Sequence, residues 1–463
     1  MAAVAALPGC AIQPPPASDE IRRQALAHVN VDHPWKAVAT EVNADEVENN
    51  WLSTFNDPTL DALVREALAN NPDLRVAAAR MEQAGQSLII AESAIRPAVN
   101  VFGTGGTKTG GGGDATSALQ ALVLSASWEL DLWGRVRYAR NAAREAYASV
   151  QADFEFARHS LAASTAKAWF TATQLSLHAG IAAEMVEAAR KLQSLAEERK
   201  RIGAGAEFDT AVARATVRQY EDAQQQVEFA RTQALRALEL LIGRYPAAEV
   251  DARTQLLALP GPIPVGVPLQ MLERRPDVIA AERRVAAAFN RVGEAKAARL
   301  PQITLNLNFG GFDSEILELK EDYENPTGGL GARLLAPIYQ GGALTAQVQI
   351  RTLQQREAVA DYARIALRAL GDVENALAAT ESLAARADLL QQIVNEQSRA
   401  LDLTQTGFRI GRADRRAVEQ QQLSLHSARL ALLNVQTEQL AARVNLHLAL
   451  GGGFETPGRL DGG

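Results

Sequence analysis

Two stretches, Val136 to Arg201 and Gly342 to Arg409, contain no proline and no break in helical patterning. Each holds about 66 residues, which at 1.5 Å per residue makes a rod of roughly 100 Å. Typical globular helices are several times shorter, so such rods have to lie side by side and cover each other's apolar stripes. Composition suits that outcome, with 47% hydrophobic residues but only 5% aromatics. Much of the rest is Ala, Gln, Arg and Glu, which lose little rotamer freedom in a helix. A glycine-containing turn follows each rod, at Gly203–Asp209 and at Gly411–Arg416, and the helical pattern then returns. The fold class is therefore mainly α, and a compact α/β enzyme is disfavoured.

The rods belong to two copies of one helix–β-hairpin–long-helix unit. Ala67-Leu68-Ala69-Asn70-Asn71-Pro72-Asp73-Leu74 is echoed by Met271-Leu272-Glu273-Arg274-Arg275-Pro276-Asp277-Val278. Arg201-Ile202-Gly203 recurs as Arg409-Ile410-Gly411. In the Asn-Pro-Asp and Arg-Pro-Asp steps, proline sets φ for a helix start and aspartate suits the first turn. The expected layout begins with residues 1–9 as a truncated signal segment and 10–50 as an N-terminal tether and belt. The first repeat covers 51–256, with strands near 97–105 and 120–133 and long helices near 136–201 and 206–240. A Pro-rich linker spans 257–268. The second repeat covers 269–453, with strands near 301–309 and 329–339 and long helices near 342–409 and 414–449. Residues 454–463 form a tail.

Ahead of each rod the hydrophobic period changes to two. Gln302-Ile303-Thr304-Leu305-Asn306-Leu307-Asn308-Phe309 alternates without a fault, as a strand between an apolar and a wet phase does. A second run puts Leu122, Leu124, Ala126, Trp128 and Leu130 on one side and Ser125, Ser127, Glu129 and Asp131 on the other. Val99 and Val101 mark a weaker strand, and Leu330, Ala332 and Leu334 a fourth. These strands approach the length of transmembrane barrel strands, with Trp128, Trp133, Phe309 and Tyr339 toward their ends. A soluble half-buried hairpin alternates identically, so periodicity leaves both readings open. Residues 105–119 and 310–328 are expected as loops. No stretch has the roughly 18–20 apolar residues of a spanning helix, so a membrane crossing would need closed β-structure.

A net charge of -7 argues against general nucleic-acid binding, which normally needs a basic footprint. The six histidines, His28, His33, His159, His178, His426 and His447, show no metal-ligand spacing and read as core or surface residues. The single cysteine, Cys10, excludes an internal disulfide. It follows Leu7-Pro8-Gly9 and the apolar run Met1–Ala6, a setting that resembles a bacterial lipoprotein cleavage and lipidation site. Acyl chains on Cys10 would anchor the chain to a bilayer. No charged n-region precedes the run, and the other reading is an unmodified cysteine on an extended Pro14-Pro15-Pro16 tether.

Six stretches carry a resemblance. They are Phe55-Asn56-Asp57-Pro58-Thr59-Leu60, Asn71-Pro72-Asp73-Leu74, Ser127-Trp128-Glu129-Leu130-Asp131-Leu132-Trp133-Gly134-Arg135 and Glu273-Arg274-Arg275-Pro276-Asp277-Val278. Ala336-Pro337-Ile338-Tyr339-Gln340-Gly341-Gly342 and Gly371-Asp372-Val373-Glu374-Asn375-Ala376-Leu377 complete the set. In this order they resemble the TolC-like outer membrane factor family, in its lipoprotein branch associated with RND multidrug efflux (the NodT-type group), over about Trp51 to Gly453. The resemblance implies a homotrimer whose strands close a twelve-stranded barrel in the outer membrane of a Gram-negative bacterium. The long helices would continue it as a periplasmic α-helical barrel, belted by residues near 243–266 and both termini. Implied partners are outer-membrane lipid, a periplasmic adaptor (membrane fusion) protein and an inner-membrane RND pump. The expected function is passive exit of drugs or other small molecules through an efflux duct. Two alternatives stand beside it: the exit duct of a type I protein secretion system, and a lipid-anchored periplasmic coiled-coil structural protein.

No catalytic arrangement is expected, and no metal or cofactor. Gly103-Thr104-Gly105-Gly106-Thr107-Lys108-Thr109 faintly resembles a phosphate loop, but Thr107 stands where glycine should precede lysine and no helix opens after it. The residues expected to matter are the strand positions facing water and the two tips. Ser125, Ser127, Glu129, Asp131, Thr304, Asn306 and Asn308 would line the barrel lumen. By the resemblance, the tips form a periplasmic gate, with Glu207, Phe208 and Asp209 from the first and Arg412, Asp414, Arg415 and Arg416 from the second. The family usually has apolar residues and an acid at the second tip, where this chain has Arg415-Arg416-Ala417. Arg409, Arg412 and Arg416 are expected on one helix face by their i, i+3, i+7 spacing, pairing with Asp209, Glu207 or Asp414. The alternative has these arginines facing outward, toward an adaptor or water.

Overall fold

The computed structural model describes residues 12–29, 35–37, 49–105, 119–261, 263, 268–314 and 327–454. Cys10, His33 and the Thr107-Lys108-Thr109 stretch lie outside the described residues. In chain order the elements begin with α1 (Ser18–Ala25), a 3-10 turn (Trp51–Phe55), α2 (Pro58–Asn70), α3 (Pro72–Ser93), β1 (Ala98–Thr104) and β2 (Leu119–Leu130). Next come α4 (Arg135–Arg201), α5 (Glu207–Leu241), α6 (Pro268–Arg274), α7 (Pro276–Ala297), β3 (Gln302–Ser314) and β4 (Thr327–Leu335). The last two are α8 (Ala343–Arg409) and α9 (Arg415–Ala449). The structure is mostly helical.

Helices α2, α3, α6 and α7 all open on proline, whose fixed φ fits a first helical position and whose missing N–H is no loss there. Asp57 caps α2 by accepting from Thr59 N at 3.1 Å, and Asn71 accepts from Leu74 N at 3.0 Å. Helices α4 and α8 are 67 residues long, and α5 and α9 are 35. Small side chains let the long helices pack closely: Ala162, Ala163, Ala166, Ala172, Ala188 and Ala189 are all buried in α4.

The chain forms two compact units, and α3, α4, α7 and α8 supply residues to both. The first contains residues 79–153 and 279–365 with the N-terminal segment. Its sheet is antiparallel throughout, in the order β1-β2-β3-β4. Directly opposed residues share a sheet face. Val101, Leu124 and Phe309 therefore lie on one face, joined by Leu307 opposite Leu330 and Ile303 opposite Leu334. Asn100, Ser125 and Asn308 lie on the other, with Ser127 opposite Asn306 and Glu129 opposite Thr304. The apolar face is exposed, at 68% for Val101, 52% for Leu307 and 80% for Leu330. Among the described residues β1 and β4 are free edges.

Three strand ends depart from the sequence reading. Strand β4 stops at Leu335, short of the expected 339, because Pro337 has no N–H for a ladder, and Tyr339 lies beyond it. Strand β3 runs on through Gly310–Ser314, paired with β2, although 310–328 is expected as a loop. Glycine carries no side-chain alternation, so the pattern fades where the backbone ladder continues. Strand β2 stops at Leu130, because Asp131 turns to the start of α4 and accepts from Val136 N at 3.1 Å and Arg137 N at 3.0 Å. Its neighbour Arg135 is paired with Glu129 through a 2.9 Å Nε–Oε1 bond. Trp128 Nε1 donates to Ile95 O at 2.8 Å, and Trp133 Nε1 to Pro301 O at 2.7 Å, tying β2 and its exit to the chain entering β1 and β3. Below the strands in sequence, Arg144–Glu92 joins α4 to α3, while Arg283–Glu145 and Arg284–Asp153 join α7 to α4.

The second unit contains residues 30–78, 154–278 and 366–463. Its core gathers Trp51, Phe55, Leu60, Trp169, Phe170, Leu238, Ile242 and Leu440. Asp57, 2% exposed, is satisfied there by Trp169 Nε1 at 2.9 Å and Arg253 Nη1 at 2.8 Å. Polar contacts give the lateral order α5–α4–α9–α8. Arg190–Glu221 and Arg214–Glu197 link α4 to α5, and Gln174–Asn434 and Lys167–Asn445 link α4 to α9. Arg386–Glu438 links α8 to α9.

Candidate functional site: two helical tips and a polar sheet face

The tips are built by one backbone device used twice. At the first, α4 ends at Arg201, Gly203 takes φ 74°, and Ala204 N donates to Arg199 O at 2.8 Å. At the second, α8 ends at Arg409, Gly411 takes φ 76°, and Arg412 N donates to Gly407 O at 2.8 Å. The left-handed glycine lets the chain reverse while these bonds satisfy carbonyls that the helix end leaves open. The returning helices start differently. Asp209 reaches back to Ala206 N at 3.3 Å, whereas Asp414 is itself the cap, accepting from Arg416 N at 3.1 Å.

Charge pairing follows the same split. Glu207 is bound by Lys200, which holds its carboxyl below the usual range. Asp414 takes Arg416 Nε at 2.9 Å and Arg199 Nη1 at 3.4 Å, so one carboxylate on α9 ties both its own helix and the end of α4. The Arg416 amide and guanidinium, and then Arg199, hold the Asp414 carboxyl down. Arg415 turns along α9 to Glu419 at 3.7 Å. Phe208 is 73% exposed and Ile202 and Ile410 are likewise exposed, so both tips present apolar side chains between their charges.

At the tips one expectation is overturned. Arg409, Arg412 and Arg416 do not share a helix face, because the Gly411 reversal separates Arg409 at the end of α8 from Arg416 in the first turn of α9. Of the arginine pairings expected at the second tip, Arg416 meets Asp414, while Glu207 is taken by Lys200. Arg199 and Lys200 are absent from the sequence-based set of gate residues. Their signal was the basic last turn of α4, three residues running from Arg199 to Arg201.

In the first unit, Ser125, Ser127, Glu129, Thr304, Asn306 and Asn308 share the polar sheet face. Asp131 does not belong with them, since it lies beyond β2 and caps α4. Phe102 and Leu335, both exposed, also fall on this face, opposite Val123 and Gln302 respectively. Arg333 sits opposite Thr304 and extends the Glu129 row to β4. Among the described residues no helix is long and apolar enough to cross a membrane, and no group of three His, Cys, Asp or Glu could hold a metal ion.

Comparison with known proteins places this geometry. The family model described as outer membrane efflux protein matches residues 63–244 and 267–452. The pyoverdine export outer membrane protein OpmQ of Pseudomonas putida is 32% identical over 427 residues, 88% of this chain and 89% of that protein. Among solved structures, the outer-membrane channel OprN aligns with TM-score 0.80 at 26% identity, over 92% of this chain and 98% of that one. The open state of the MtrE outer membrane channel of Neisseria gonorrhoeae aligns with TM-score 0.78 at 26% identity, over 92% and 97%. With both of these segments matched and the helical and strand elements superposable along nearly the whole chain, this protein belongs to the outer membrane efflux protein family.

Proposed function

We propose that the chain is one of three identical subunits that close a twelve-stranded barrel in the outer membrane and an α-helical duct beneath it. It would act as the passive exit of a tripartite system with a periplasmic adaptor and an inner-membrane RND pump, and it is not an enzyme. The observation that carries this reading is the sheet, which has one exposed apolar face, one polar face and, among the described residues, two free edges. Lipid tolerates no open edge, and four strands cannot close on themselves, so β4 of one copy would pair with β1 of the next.

The helices support the same head-to-tail closure. In the second unit the outer helices are α5 and α8, bearing exposed Val212 and Phe229 on one and Leu389, Ile393 and Leu403 on the other. Two different edges meeting around an axis give a ring. The equal lengths of α4 and α8, and of α5 and α9, support descent of the two halves from one duplicated unit. Ser125, Ser127, Glu129, Thr304, Asn306 and Asn308 would then line the lumen, and apolar side chains such as Leu124 and Leu307 would face lipid.

The gate belongs to the tips. Glu207, Phe208, Asp209, Arg412, Asp414, Arg415 and Arg416 would surround the periplasmic entrance, with Arg199–Asp414 holding α9 against α4 when it is shut. Lipidated Cys10 would add an anchor. The test is direct: purified full-length chain should run as a detergent-requiring, heat-modifiable trimer from the outer-membrane fraction and conduct in planar bilayers. A water-soluble monomer without conductance would overturn the reading.

A further inference from the structure

The seam between α4 and α9 contains a histidine that the efflux reading does not use. His426 is 3% exposed, and neither ring nitrogen has a hydrogen-bond partner. Its Nδ1 lies 3.3 Å from Glu184 Oε2 on α4, close enough for ionic attraction but outside hydrogen-bond geometry. The ring borders a groove of about 580 Å3 whose charged and polar lining is Glu184, Glu187 and Lys191 from α4 and Gln422 and Arg429 from α9. From α8 the groove receives only Leu401.

This histidine is one rung of a ladder. Along α4 and α9 the cross-seam pairs are Lys167–Asn445, Gln174–Asn434, Glu184–His426, Lys191–Glu419 and Arg199–Asp414. The last rung is the tip contact itself. Glu419, one heptad before His426, is also buried at 4% exposure, and one of its carboxylate oxygens lacks a hydrogen bond. A seam joined by polar rungs parts more readily than an apolar one, because water replaces each lost contact. His426 stands apart from the other rungs because histidine alone among these residue types has an ordinary value near neutral pH.

We propose that His426 is an acid-sensitive latch: the closed α4–α9 seam holds its ring neutral, and acid at the periplasmic side favours parting of the two helices and opening of the tip. The proposal rests on the channel reading and adds a regulatory input to it. Burial pushes His426 below its ordinary value, the Glu184 carboxylate pulls it back in part, and Arg429 pushes it down again. In a parted seam the ring is wet and returns to about 6.5. As pH falls through about 6.5, the parted state binds a proton that the closed state refuses. The opening equilibrium then shifts by up to about tenfold per pH unit and protomer. Above that pH the latch is silent. The tip carboxylates Glu207 and Asp414 are held below their usual range and stay charged throughout this window.

The experiment records conductance of the full-length chain in planar bilayers while the periplasmic-side pH is lowered from about 7.5 to about 5.5. Wild type should rise about three- to tenfold. His426→Leu should match it at the upper pH and stay flat. Glu184→Gln should respond more strongly, because the carboxylate that supports a buried imidazolium is gone. In parallel, deuterium exchange at the His426 ring carbon gives its titration midpoint without any need for conduction, expected below about 6.5. A fall in conductance with acid, an acid response that survives His426→Leu, or a midpoint at or above the ordinary value overturns the latch. Failure to conduct at any pH overturns the channel reading and the latch with it, whereas a conducting chain that keeps its acid response in His426→Leu overturns the latch alone.

Discussion

Asn71 and Arg275 each hold a carbonyl at the end of a returning helix: Asn71 Nδ2 donates to Leu241 O at 3.0 Å, and Arg275 Nη1 to Ala449 O at 3.3 Å. Each residue stands just before a proline that opens a helix, so one side chain joins a helix start to a helix end. The chemistry differs. Asn71 does it with neutral bonds, while Arg275 is 4% exposed and also pairs with both Asp277 oxygens and with Asp372 at 3.1 Å. Asn71→Ala should cost about 1–2 kcal/mol. Arg275→Ala should cost about 2–4 kcal/mol, because it strips partly buried carboxylates of their cation. Arg275→Lys should recover only part, since an ammonium cannot reproduce the guanidinium fork. Denaturant midpoints of the detergent-solubilised protein check the ranking; equal losses in the two alanine variants would contradict it.

The helical class was readable because nothing between Val136 and Arg201 can stop a helix, and the two tip glycines mark where one must reverse. What the sequence hides is set by partners distant along the chain. Asp131 prolongs the alternation of β2 by one residue, yet the start of α4 claims its carboxylate. Gly310 and Gly311 interrupt the alternation of β3 without interrupting its ladder. The arginines of the second tip look collinear only if the helix count is carried through Gly411. His426 resembles any surface histidine on a long helix until α4 is packed over it. Periodicity reports a single element, whereas register, caps and seams depend on which elements meet.

Asp414 offers a clean test of the tip because its two roles can be separated. As a cap it is replaceable by Asn, which serves nearly as well at a helix start. As an anion it ties Arg199 to Arg416. Asp414→Asn should leave unfolding midpoints unchanged but raise resting single-channel conductance about two- to fivefold, in keeping with exposed ion pairs of up to about 1 kcal/mol. Arg199→Gln should do the same. No rise in either variant would remove this pair from the gate.

His447 predicts a second and different acid response. It stacks on Trp51 with centroids 5.6 Å apart, is 4% exposed, and is pushed down to about 3 by burial and then by Arg443. Unfolding returns it to about 6.5, so the unfolded chain binds the extra proton and stability falls as pH drops from about 6.5 toward 3. The loss between pH 8 and pH 5 should be about 2 kcal/mol from this residue alone. His447→Phe keeps a ring against Trp51 and should abolish that portion of the loss. The measurement is the pH dependence of the denaturant midpoint. An unchanged acid slope in the variant would mean that His447 is wet in the folded state.

The two faces of the sheet make opposite predictions for the same substitution one residue apart. Leu124 lies on the apolar face with Val101 and Phe309, and Ser125 lies on the polar face with Asn100 and Asn308. If the apolar face meets lipid, Leu124→Lys places a charge in the hydrocarbon at a cost of about 2–4 kcal/mol near its midplane. The heat-modifiable form should then largely disappear from the outer-membrane fraction. Ser125→Lys should assemble normally, because its ammonium extends into water, and should move reversal potentials toward anion preference at low salt, where screening is weak. The pair controls for expression and for β-propensity, since each places lysine within β2. Equal tolerance at both positions would mean that the sheet meets water on both sides, which a barrel strand cannot do.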